Sequence, residues 1–186
     1  PIVDFLRALL GDDVVLVHGH FVRSQPGQPP MPLISNSAPY GSLTNGWRDS
    51  SPIMVRVLNY LDDTRLDRAP FRVVPRSHLS FHSDANPYLR YERHPEEIVV
   101  PARRGDALLF APRVFHGTLS NTSEDVRELV EFTYRPRWAR PVHPIEEWDP
   151  DLVASLPEQS RRFLRSRSES DRHPEEEPLP TPLPTV

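Results

Sequence analysis

The chain has neither cysteine nor lysine. The first absence excludes disulfides, thiolate metal sites and cysteine nucleophiles. With the second, all 22 basic residues are arginine, a bias that fits GC-rich coding rather than a functional choice. No run approaches the roughly 20 apolar residues of a membrane span, and no secretory signal is visible. A net charge of −4 offers no basic face, so nucleic acid is not an expected partner. The stretch Arg161 to Arg167 is followed by Glu175-Glu176-Glu177, which makes a mixed-charge tail and not a basic patch. At 186 residues the chain can bury one domain-sized core, and its start at Pro1 reads as a fragment of something longer. A soluble, reducing, cytoplasmic setting is expected.

The apolar periodicity divides the chain. Ile2 to Leu10 has helical spacing and stops at Gly11, predicting a short helix with a glycine C-cap. Val14 to Val22, Ile53 to Leu61, Phe71 to Val74 and short runs at about 98–100, 107–111, 114–116 and 128–135 read as strands. Two long connections, 24–51 and 76–97, are too long to be idle and are expected to line a pocket mouth. Many short strands with Pro and Gly breaks predict an all-β sandwich or barrel. From about residue 151 the sequence turns polar and ends in the run Pro178 to Pro184. Such a segment buries too little apolar area to offset its ordering entropy, so 1–150 is expected as the folded domain and 151–186 as a disordered tail.

The densest chemistry lies in 105–127. A Gly105-Asp106 turn feeds the apolar run 107–110, and then follow His116, Thr118, Asn121-Thr122-Ser123 and Arg127. A neutral imidazole suits a transition metal. A guanidinium offers a planar fork to a carboxylate. On neighbouring strands the two would support metal-centred chemistry on a carboxylate-bearing ligand. Elsewhere, His18-Gly19-His20 puts two rings on one strand face, His82-Ser83-Asp84 has ligand letters in a loop, and Trp47-Arg48-Asp49 adds an acid.

Tyr60-Leu61-Asp62-Asp63, Phe71 to His78, Gly105 to Phe110, Phe115-His116-Gly117, Asn121 to Ser123 and Tyr134 to Trp138 together resemble the phytanoyl-CoA dioxygenase family of iron(II)/2-oxoglutarate oxygenases, over roughly residues 5–140. The resemblance implies a double-stranded β-helix, a cupin-like jelly roll with a short N-terminal helix. It implies iron(II) and 2-oxoglutarate as cofactors and a small-molecule substrate, with protein partners left open. His116 matches the distal iron ligand. Arg127 matches the clamp on the far carboxylate of 2-oxoglutarate, Thr118 a hydroxyl assisting it, and His78 a position near the cofactor pocket. Family members carry His-x-Asp upstream, where this chain has Ile34 and Asn36. His82 and Asp84 are the alternative ligands. Arg76 replaces a glycine that would allow positive φ. The expected function is therefore an oxygenase, or a metal-poor relative that uses the same barrel to bind a small carboxylate.

Overall fold

The computed structural model describes residues 1–35, 54–79, 93–139 and 145–169. Asn36, Trp47, Asp49, His82, Asp84 and the proline-rich run lie outside the described residues. Helix α1 (Ile2–Leu10) forms as its spacing predicts. Leu6 and Leu10 are buried, and Gly11 sits at φ +91°, its N–H bonded to Arg7 O.

Among the described residues, eight strands follow. β1 (Val14–Ser24), β3 (Val55–Tyr60), β6 (Ala107–Phe110) and β8 (Arg127–Pro136) make one sheet, ordered β1-β8-β3-β6. β2 (Met31–Ile34), β4 (Phe71–Val73), β5 (Ile98–Val100) and β7 (His116–Thr118) make the other, ordered β2-β7-β4-β5. Strand 1 pairs with 8, 2 with 7, 3 with 6 and 4 with 5, every pair antiparallel. That nested pairing, folded over so that 8 also joins 3 and 7 joins 4, is a jelly roll. The fold is a double-stranded β-helix.

Side-chain alternation then assigns the faces. On β3, Leu58 and Tyr60 point between the sheets, where they meet Phe71, Ala102 and Leu129. Val55 and Val57 point outward and are covered by Leu6 and Leu10 of α1, with Phe163 packed alongside. Burying each of these large aliphatic side chains is worth about 1.5–3 kcal/mol, so α1 is held by its face and not by helix propensity.

Three expectations are corrected. β2 was not visible in the sequence, since Met31-Pro32-Leu33-Ile34 lies inside a stretch that reads as loop. β7 begins at His116 and not at 114, because Pro112 and Arg113 form a turn closed by Val114 N bonding Ala111 O. Residues 151–169, part of the stretch 151–186 expected as a disordered tail, carry most of α2 (Pro150–Ser155) and all of α3 (Glu158–Arg161) and lie against the barrel. Leu16 N bonds Phe163 O, and the buried Arg135 guanidinium donates to the carbonyls of Ser166, Arg167 and Glu169 as well as Arg137 and Ala139. No helix among the described residues is long and apolar enough to cross a membrane.

Candidate functional site

His116 opens β7 on the interior face, almost fully buried. Its Nδ1 lies 2.7 Å from Val114 O. A carbonyl only accepts, so Nδ1 carries the proton and Nε2 keeps its lone pair. That Nε2 is buried with no partner among the described residues. Burial, with the Arg56 charge nearby, holds the ring below its ordinary titration range against the pull of the Val114 carbonyl, so the imidazole is neutral. The ring rests between Phe110, 4.7 Å between centroids, and Phe71, at 6.1 Å and nearly parallel. A neutral imidazole with a bare nitrogen in an apolar box is the state that a metal ligand needs.

The neighbours of His116 in the sheet are apolar. Across β4 its register partner is Val73, and across β2 it is Ile34. Residues directly opposed in an antiparallel pair share a face. Ile34 therefore lies beside His116 on the same face, and it offers no lone pair. Gly117 makes the close approach of β2 possible, since a Cβ there would lie 2.6 Å from Met31 O and 2.8 Å from Pro32 O. Among the described residues no group of three His, Cys, Asp or Glu side chains is arranged to hold a metal.

Arg127 opens β8 on the facing sheet, on the same face as Leu129 and Thr133 and so directed between the sheets. Its Nε and Nη1 are buried without a hydrogen-bond partner among the described residues. The surface ion pair that the sequence also permits, with Glu124 or Asp125, does not form; Asp125 faces Arg65 at 3.5 Å. Asp62 is near, but its carboxylate accepts from Glu128 N and faces Arg68 at 3.6 Å. Burial pulls the Arg127 guanidinium below its usual value, with Tyr60 and Asp62 opposing. Beside it, burial pushes the Tyr60 phenol up to about 12. A buried, unpaired guanidinium is costly unless an anion completes it.

Thr118 lies two residues beyond His116 on the same face, its Oγ1 3.4 Å from Met31 N. His78 sits on a single turn, Ser77–Leu79, with a buried Nδ1 lacking a partner among the described residues. Ser77 fixes that turn next to His116 by accepting from Phe115 N and donating to Val74 O, both at 2.7 Å. Arg76, where a glycine was expected, keeps the left-handed conformation at φ +61°. His116, Thr118 and Arg127 thus face one interior from two sheets. Tyr60 was missed by sequence reasoning, although strand alternation from Leu58 would have directed it inward. Asn121, read as part of a motif, is a structural joint. Fully buried, it donates to Ser24 O and Asp125 O and accepts from Ser123.

Comparison with known proteins agrees with this architecture. No curated protein matches the chain. Among solved structures, HygX from Streptomyces hygroscopicus with nickel, 2-oxoglutarate and hygromycin B bound superposes with a TM-score of 0.61 at 21% identity, over 92% of this chain and 71% of that one. AviO1 from Streptomyces viridochromogenes Tue57 gives 0.59 at 22%, over 75% and 59%. EvdMO1 gives 0.58 at 20%, over 72% of this chain and 30% of its own, so the chain spans less than two thirds of these last two relatives. The family model for phytanoyl-CoA dioxygenase matches residues 3–129. With that match and the nested strand pairing, the chain belongs to the phytanoyl-CoA dioxygenase family.

Proposed function

We propose that the chain is an iron(II)/2-oxoglutarate-dependent oxygenase acting on a small molecule, with the far carboxylate of 2-oxoglutarate held by Arg127. The observation that carries this reading is the buried guanidinium with Nε and Nη1 unsatisfied. Nε and Nη1 lie on different edges of the guanidinium, each shared with Nη2, so a carboxylate can be taken side-on or end-on, and the apolar surroundings strengthen the pair once formed. HygX is a relative of the same fold with 2-oxoglutarate and a metal bound, which supports carrying both to this interior. Thr118 and Tyr60 add hydroxyls on the same interior face. Phe71, Phe110 and Leu129 exclude water. When bound, 2-oxoglutarate supplies the two electrons that activate dioxygen for attack on a C–H bond. A cytoplasmic setting remains part of this proposal.

Iron fits less well. His116 Nε2 suits one coordination position, but its register partner Ile34 offers no lone pair, and among the described residues no further ligands are grouped with it to complete a metal site. That same pairing favours a second reading, a metal-poor relative in which the barrel binds a carboxylate without oxidising anything.

Anaerobic titration of iron(II) with 2-oxoglutarate separates the two by the visible absorbance of the iron chelate. A saturable band in the natural chain supports the oxygenase. A band that emerges only after Ile34→His with Asn36→Asp supports the metal-poor reading. For Arg127→Ala, 2-oxoglutarate affinity measured by calorimetry is expected to fall about 100-fold, as for loss of one partner of a buried charge pair. Unchanged affinity would remove Arg127 from the site.

A further inference from the structure

At the end of β8 away from Arg127 the inward face of the sheet becomes polar, with His18 half-buried and His20 exposed on the edge strand β1. Val22 packs inside with Leu129, so His20 and His18, two and four residues earlier on β1, share its face. They meet Glu131 and Thr133 of β8, and Arg56 of β3 is the register partner of Thr133. Thr133 lies six residue steps along β8 from Arg127, about 20 Å at roughly 3.3 Å per residue. The two ends cannot serve the same small carboxylate.

The C-terminal segment completes this end. Arg167 donates from Nη2 to His18 Nδ1 at 3.2 Å and from Nη1 to Glu146 O at 2.6 Å, while its guanidinium lies 4.4 Å over the Trp148 ring. A guanidinium only donates, so His18 Nδ1 accepts and the proton sits on Nε2 as a further donor. Burial, together with Arg167, His20 and Arg56, keeps that ring neutral.

Thr133 is almost completely buried, and its Oγ1 has no partner among the described residues. Arg167 Nε is likewise unsatisfied. Arg56 Nε makes only a 3.4 Å ion pair with Glu131, without hydrogen-bond geometry. Among the described residues of this cluster, the Glu131 carboxylate therefore stands against two guanidiniums, a hydroxyl and an imidazole N–H. This surplus of fixed donors and positive charge asks for an oxygen-rich anion.

We propose that His18, Arg56, Thr133 and Arg167 form a second, oxyanion-binding compartment that receives a carboxylate or phosphate group of the substrate. Glu131 holds Arg56 in place, and Trp148 with the Glu146 carbonyl holds Arg167, so the donors are set before the ligand arrives. Residues 145–169 then determine specificity, since they deliver Arg167. The assignment of this ligand as substrate rests on the oxygenase reading above. The binding itself is measured without iron.

The test titrates the full chain, saturated with 2-oxoglutarate, with inorganic phosphate and separately with benzoate. Arginine Nε–H resonances are followed by NMR. Saturable shifts of the Arg56 and Arg167 signals are expected, at least tenfold weaker binding in Arg167→Gln, and several-fold weaker binding in Thr133→Val, whose near-isosteric change spares the fold. Preference for phosphate assigns a phosphate ester, and preference for benzoate assigns a carboxylate. Binding should persist in Arg127→Gln even as that variant loses 2-oxoglutarate, which separates this proposal from the first. No saturable shift with either probe, or binding lost in Arg127→Gln and kept in Arg167→Gln and Thr133→Val, would overturn it.

Discussion

Arg76 is held at φ +61°, a region that costs an L-residue with a Cβ roughly 1–2 kcal/mol. Its side chain is exposed. Arg76→Gly is thus expected to raise stability by about 1 kcal/mol in urea denaturation, and a loss would mean that the arginine makes a contact worth more than its strain. At His116 the consequence is for pH. Burial lowers the folded imidazole from its ordinary value of 6.5, so below that value the unfolded chain binds more protons. The stabilisation is complete above the unfolded value and is lost as pH falls through the folded one. The urea midpoint of the metal-free chain should therefore drop between about pH 7 and about pH 5, and drop less in His116→Gln. Equal slopes in the two proteins would place the titration elsewhere.

At the level of elements, the sequence exposed the strands whose apolar residues are continuous, β1, β3, β6 and β8 among them. It hid β2 because Pro32 and the surrounding Pro- and Gly-rich residues mask a strand of four residues. His116, Thr118 and Arg127 were legible through the order of motifs along the chain. The polar end around Thr133 was not, since His18, Arg56 and Arg167 meet only through cross-strand register and a returning C-terminal segment. The turn joining β7 to β8 depends on Asn121, which ties it to the end of β1 through Ser24 O and to the chain beyond β1 through Gly27 N. Asn121→Ala leaves several buried groups unpaired and should cost about 2–3 kcal/mol by chemical denaturation. A cost below about 0.5 kcal/mol, the level of an ordinary surface change, would mean that the joint is dispensable.

Across the whole molecule, the C-terminal segment was misread because composition averages over residues and misses single anchors. Phe163 inserts beside Leu10, Val55 and Val57, and one arginine on β8 gathers the segment's carbonyls. Without Arg135 those carbonyls return to water, so Arg135→Leu should accelerate amide hydrogen exchange across 145–169 while exchange in β3 and β6 stays near its original rate. Unchanged exchange in the segment would assign its docking to Phe163 alone.

The nested pairing also bears on synthesis. Val14 meets Pro136 and Ser24 meets Arg127, so the first strand of the barrel finds its partner only after more than a hundred further residues have been made. Until then its row of N–H and C=O groups stands open on the nascent chain, a template for pairing with a second copy. Growth of this protein on the ribosome thus carries an aggregation risk set by topology, and it ends only when the last strand is released to close the roll.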